Sequence, residues 1–266
     1  MYIIHVIMDI KEEVIDVGEP LPERKSFFIE PPKQALWKQI TYLVVGLLLF
    51  QGLGTIFALI AKVLIENGSM DAVAGAAFTN FTAYAVEFVI IIGLTIGDYG
   101  KIFENFKSWK PYVFGIAGLI AILSINAIYS TVLTMAGVEF GDNQNEEAVN
   151  SIVTSYPVLS LFIFGIVGPL CEEFTYRAGL FASLKRLNKV VAYIVTIIVF
   201  TFIHFDFESF VTGTWANELL NVPLYVTAAF TFTFLFDKFG FAASITSHVA
   251  NNLLSLLAAL ARTLLP

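Results

Sequence analysis

The sequence predicts an all-α fold, a polytopic helical bundle that crosses a membrane about seven times, within a range of six to eight. Three observations predict it. Of the 266 residues, 57% are hydrophobic and only 14% charged, where soluble domains carry about 25% charged residues. Mean hydropathy is +0.78. The apolar residues fall into runs long enough to cross a hydrocarbon core about 30 Å thick, which takes about 20 helical residues. The 26 phenylalanines suit a lipid-facing bundle.

Taken in order, residues 1–38 read as a tail. Met1 to Met8 is apolar but too short for a signal segment, lacks a basic start, and runs into Asp9, Glu12 and Glu13. Pro20, Pro22, Pro31 and Pro32 interrupt the rest, and His5 carries no legible chemistry. Residues 39–150 hold three spans, expected at 40–64, 74–97 and 112–136, with Trp37, Lys38 and Tyr42 as interface anchors. Glu87 lies inside the second span and reads first as a bundle-facing polar contact. An acidic linker, 139–150, holds Glu139, Asp142, Glu146 and Glu147 and no lysine or arginine. Residues 151–266 form the expected C-terminal helical core. It comprises a long helix over 152–187, too long for one straight span and so kinked, tilted or split, then spans at 190–205, 221–236 and 240–264.

Lysine and arginine placement orients the chain. With the N-terminus inside, the cytoplasmic side collects Lys11, Arg24, Lys25, Lys33, Lys38, Lys101, Lys107, Lys110, Lys185, Arg186, Lys189 and Lys238, and the outer side keeps Lys62 and Arg262. Twelve against two predicts a cytoplasmic N-terminus and an outside C-terminus. The net charge of −7 and the absence of a basic stripe exclude a nucleic-acid partner. The single cysteine, Cys171, excludes an intrachain disulfide and reads as a small packing residue.

The densest polar stretch in an apolar setting is Gly165 to Phe181, which places Glu172, Glu173 and Arg177 within six residues. Ionisable groups inside a span cost roughly 2.5–3.5 kcal/mol each on insertion scales, so they mark a functional site by default. On a helix Glu173 and Arg177 are i,i+4 and share a face. Glu172 points about 100° away. Arg177 therefore neutralises Glu173, and Glu172 is free for chemistry. Gly168-Pro169, just upstream, removes a backbone donor and predicts a kink.

Two of the three histidines, His204 and His248, lie in later spans. Phe200 and His204 are i,i+4, as are His248 and Asn252. Counted from the nearest inner basic anchor, Glu172 lies roughly 20 Å deep, His204 roughly 22 Å, His248 roughly 15 Å and Asn252 roughly 21 Å. Three helices thus deliver polar groups to one level. Two chemistries fit. In one, Glu172, helped by His204, takes a proton from a water that attacks an amide carbonyl, and His248 and Asn252 donate to the oxyanion. In the other, Glu172, His204 and His248 hold a catalytic zinc. Asparagine is a poor zinc ligand and a good amide donor, which favours the first, but the sequence leaves both open.

Glu172-Glu173-Phe-Thr-Tyr-Arg177, Phe200-Thr-Phe-Ile-His204 and His248-Val-Ala-Asn-Asn252 together resemble the EExxxR, FxxxH and HxxxN pattern of the CPBP (or Abi) family. Its members include type II CAAX prenyl endopeptidases and lysostaphin-resistance-like proteins. The common glycine after the arginine comes one place late, at Gly179. The resemblance covers about 155–258. It implies an α-helical intramembrane endopeptidase acting on a membrane-associated substrate, prenylated or of the bacteriocin or leader-peptide type. It implies Glu172 and His204 as the water-activating pair, and His248 and Asn252 on the oxyanion side. Glu173, Arg177 and Phe200 support them. Members are described both as metalloproteases and as glutamate-dependent enzymes. The implied partners are membrane lipid and a hydrophobic or lipidated peptide. The alternatives are a non-catalytic immunity or scaffold protein on the same fold, and a Glu/His proton-relay transporter, for which no inverted repeat is visible.

Overall fold

The computed structural model describes residues 28–29, 33–139 and 141–264. Most of the tail, with His5, lies outside the described residues. Eight principal helices form the bundle among the described residues: α1 (Leu36–Glu66), α2 (Ala72–Thr95), α3 (Lys110–Met135), α4 (Gln144–Ser155), α5 (Pro157–Lys185), α6 (Lys189–Phe202), α7 (Trp215–Phe239) and α8 (Phe241–Leu264). No strand occurs among the described residues.

Six helices, all but α4 and α6, are long and apolar enough to cross a membrane. Their outward residues match the solvent they meet. Leu48, Ile56, Val63, Val89, Ile120 and Ile128 are each 55% to 70% exposed, an apolar surface far larger than a water-soluble monomer presents. Helix α6 has 14 residues, about 21 Å, and is too short to cross alone. The expected span over 190–205 is therefore a shorter helix that ends at Phe202, and His204 sits in the turn beyond it.

Three other expectations are refined. The acidic stretch read as a linker over 139–150 becomes a helix from Gln144 onward. The Asn143 side chain caps it by accepting from the Glu146 amide at 2.9 Å, and Glu146 and Glu147 occupy the positive first turn. The long helix expected over 152–187 is split at Tyr156, because Pro157 disfavours helical backbone in the residue before it. The first span also begins earlier than expected, at Leu36.

Helix α5 is the axis of the bundle. In its most apolar stretch 61% of residues are buried, against 11% to 39% in the other long helices. All nine residues from Glu173 to Phe181 are buried, as a helix enclosed on every side requires. Its turns widen to π geometry at Ile163–Val167 and again at Glu173–Phe181. The first wide turn precedes Pro169, whose ring would otherwise crowd the carbonyl four residues back. The kink expected at Gly168-Pro169 is thus absorbed as an enlarged turn, a device common at functional sites.

The halves interlock. Helix α3 lies against α8 so closely that a Cβ on Gly115 would stand 2.8 Å from the Ala243 carbonyl oxygen. The two ends of the bundle differ in charge. At one end Lys38 pairs with Asp98 at 2.5 Å, Arg186 bonds Gln39 at 2.8 Å, and Asp237 receives Lys185 at 2.7 Å and Lys189 at 2.8 Å. At the other end stand Glu146, Glu147, Asp206, Glu208 and Glu218, with Arg262 3.5 Å from Asp142.

Candidate active site

Glu173 and Arg177 are both fully buried, with Oε1 and Nη1 3.0 Å apart. That approach is off the axis of a hydrogen bond, and the guanidinium nitrogens have no well-aligned acceptor among the described residues. The cation is held instead by charge and by aromatic faces. Its central carbon lies 4.3 Å from the Phe200 centroid and 5.3 Å from that of Phe232. Such contacts gain strength when desolvated. Phe200 is therefore the platform under Arg177. Glu173 also accepts from the Ser244 hydroxyl by a short bond and meets Nδ1 of His248 at 2.8 Å. The Glu173–Arg177 brace expected from i,i+4 spacing is present, and it reaches a second helix.

Glu172, one residue away, turns elsewhere. Its Oε1 accepts from the Tyr84 hydroxyl at 3.3 Å. Its Oε2 is buried without a hydrogen-bond partner among the described residues and stands 3.6 Å from Nε2 of His248. Glu172, His204, His248 and Asn252 line one cavity of about 330 Å³, with Phe200 and Phe232 in its wall. The predicted convergence of three helices on one level is thus found as a shared space.

Hydrogen bonding orients both histidines. Nδ1 of His204 is 2.8 Å from the Phe200 carbonyl. A carbonyl only accepts, so Nδ1 carries the proton and Nε2 has no hydrogen-bond partner among the described residues. The ring stacks on Tyr225, centroids 4.9 Å apart. In His248, Nδ1 faces the Glu173 carboxylate and Nε2 faces Glu172, while the ring stacks on Phe232 at 4.3 Å. Each imidazole has one nitrogen tied back and one directed away from that tie. Asn252 donates one amide hydrogen to the Phe164 carbonyl at 3.1 Å and keeps a second.

Histidines backed by a carboxylate or carbonyl are also the kind that ligate metals. The donor types of Glu172, His204 and His248 suit zinc. Their spacing does not: among the described residues no three His, Cys, Asp or Glu side chains gather around one ion position. As arranged, they do not enclose a metal.

Two features escape a reading of the sequence. Tyr84 reads there as one aromatic among many, although Asn80, Tyr84 and Glu87 fall at i, i+4 and i+7, a legible helical face. Asp142, Glu146 and Asn150 also line the cavity, at its α4 side. Burial and the neighbouring Asp142 carboxylate push the Glu146 carboxyl above the usual range. Glu87 is buried beside the Cys171 thiol and the Thr175 hydroxyl, and Cys171 is free and buried.

Residues 154–254 match the family model described as type II CAAX prenyl endopeptidase Rce1-like. That stretch holds all three motifs. Over 132 residues the chain is 29% identical to the membrane-embedded CAAX protease MroQ of Staphylococcus aureus (strain USA300), covering 45% of this chain and 52% of the relative. Over 122 residues it is 25% identical to the UPF0177 protein YxdF of Lactococcus lactis subsp. lactis (strain IL1403), covering 45% of this chain and 68% of the relative. The similarity thus spans between half and about two thirds of these two relatives. No solved structure matches the chain. Residues 154–254, with the motifs they carry, are thus similar to the Rce1-like CAAX membrane proteases of the CPBP family.

Proposed function

We propose that this protein is an intramembrane endopeptidase that hydrolyses a peptide bond of a membrane-associated substrate by attack of an activated water. One observation carries the reading. Glu172 is a half-buried carboxylate whose buried Oε2 has no hydrogen-bond partner among the described residues, in a cavity shared with two histidines that each have one ring nitrogen tied back. A gap of 3.6 Å between Glu172 Oε2 and His248 Nε2 is too long for a direct hydrogen bond and short enough for one water to touch both.

In this reading Glu172, aided by Nε2 of His204, takes a proton from the water as its oxygen bonds to the scissile carbonyl carbon. The carbonyl oxygen gains the negative charge. The second amide hydrogen of Asn252 donates to it, and so does Nε2 of His248 when that ring carries both protons. The tetrahedral carbon then expels the amide nitrogen, which receives the proton held by Glu172. Glu173 and Arg177 fix His248 and never meet the substrate. The substrate is a hydrophobic or lipidated peptide, with a prenylated CAAX segment as the first candidate and a leader-type peptide as the second. The N-terminus is cytoplasmic, the C-terminus outside, on the twelve-to-two distribution of basic residues.

The test is cleavage of a farnesylated CAAX reporter and of a hydrophobic leader peptide by protein reconstituted in lipid. Glu172→Gln, His204→Ala and His248→Ala each abolish cleavage while the protein stays folded. Cleavage that survives Glu172→Gln rejects the base assignment. An immunity or scaffold role predicts that all three variants keep full protection of cells. Stoichiometric metal in the purified protein, with loss of cleavage on chelation, would reject this metal-free reading.

A further inference from the structure

Helix α2 lies outside the matched residues 154–254, yet it builds one wall of the cavity. Asn80 and Tyr84 line that wall opposite Glu172, with Glu87 buried one turn further along the same face. The Tyr84 phenol is aimed by packing. Its ring lies 4.7 Å from Phe50 and 6.2 Å from Phe164, centroid to centroid, and a Cβ on Gly168 would stand 3.4 Å from its edge. With the ring so enclosed, its hydroxyl reaches Oε1 of Glu172 at 3.3 Å.

We propose that Tyr84 is a positioning residue of the hydrolytic site. It fixes one oxygen of Glu172, so that the other is the one presented to the cavity and to His248. The proposal rests on the reading of Glu172 as the water-activating group. The terminal torsion of a glutamate is broad and roughly two-fold. A carboxylate tied at neither oxygen samples orientations in which no lone pair meets the attacking water. Misplacing a reacting group by about 1 Å costs on the order of 100-fold in rate. Oε2 has no hydrogen-bond partner of its own among the described residues, so the single bond from Tyr84 sets the orientation.

Tyr84→Phe tests this, because it keeps the ring contacts and removes only the hydroxyl. In lipid-reconstituted protein, kcat on the farnesylated reporter falls at least tenfold, KM stays within twofold, and the thermal midpoint is unchanged. A second readout needs no activity. The infrared carboxyl band that disappears in Glu172→Gln belongs to Glu172, and Tyr84→Phe shifts it. A band at the wild-type position overturns the proposal, since the bond is then absent. A shifted band with unchanged kcat also overturns it, since the bond then positions nothing that matters. If Glu172→Gln still cleaves, the hydrolytic reading itself fails, and with it the role given to Tyr84, even where the band shift confirms the bond.

Discussion

Oε1 of Glu173 lies 2.8 Å from Nδ1 of His248 and 3.0 Å from Nη1 of Arg177. One carboxylate therefore answers a cation on its own helix and orients a ring on another. Both partners are buried, and Glu173 and Arg177 have no exposed surface at all. Glu173→Gln leaves a buried guanidinium without its counter-charge, a change that costs about 3–5 kcal/mol. The expected outcome is a large fall in yield and thermal midpoint in detergent, with loss of cleavage. The double variant Glu173→Gln/Arg177→Met removes the orphaned charge as well. It regains much of the stability and none of the activity, because an amide oxygen replaces the carboxylate charge that faces His248. Equal melting of the single and double variants would refute the brace.

Glu172 answers the opposite way. Its Oε2 is buried without a hydrogen-bond partner among the described residues, so the carboxylate is a cost to the fold, as a group kept for the proposed reaction would be. Glu172→Gln is expected to melt at the wild-type temperature or above it, while cleavage falls by at least about 100-fold. Thermal scanning and a cleavage assay on the same preparation check both halves. A marked drop in melting temperature would show that Glu172 braces the bundle instead.

The spans and the Glu173–Arg177 pair are legible in the sequence because both follow from local rules, apolar run length and helical spacing. The meeting of Glu172, His204, His248 and Asn252 is legible only as equal depth, since depth is countable along a chain and the facing of helices is not. What stays hidden needs tertiary contact. The wide turns of α5 replace the ideal α geometry from which the angle between Glu172 and Glu173 follows. Tyr84 acquires its meaning only when α2 lies against α5. The helix after Asn143 is masked by its acidity, although an asparagine followed three residues later by glutamate is a capping pattern.

At the basic end, the Lys38 ammonium beside Asp98 holds that carboxyl below the usual range, by hydrogen bond first and by charge second. A depressed folded value means the stabilisation is fully present above the unfolded pKa of about 3.9 and is lost as pH falls through the folded value. The pair joins the start of α1 to the loop before α3 and is partly exposed, so its worth is no more than about 1 kcal/mol. Wild type should therefore melt slightly above Asp98→Asn at about pH 6, and the difference should shrink as pH falls below the unfolded value of about 3.9 and through the lower folded value. A difference that persists at low pH would mean that Asp98 acts through packing, not charge.

The contact of α1 with α5 gives a sharper test of how tightly the axis helix is held. A Cβ on Gly46 would fall inside the Thr175 side chain, only 2.5 Å from its Cβ and closer still to its hydroxyl oxygen. Thr175 cannot simply rotate away, because it is buried and its hydroxyl donates to the Cys171 carbonyl at 2.9 Å. Gly46→Ala must therefore separate the two helices, at a cost of about 1–3 kcal/mol by the usual scale of overpacking. Gly54, about two turns along α1, has nothing within 4 Å of the place a Cβ would occupy, so Gly54→Ala is expected to be neutral or slightly stabilising, as alanine is in a helix. The pair of variants separates crowding from helix propensity, since both make the same chemical change. Adding Thr175→Ala to Gly46→Ala should recover part of the loss, giving a non-additive cycle of the kind that contacting residues show. Additive melting shifts would mean that Gly46 and Thr175 do not touch.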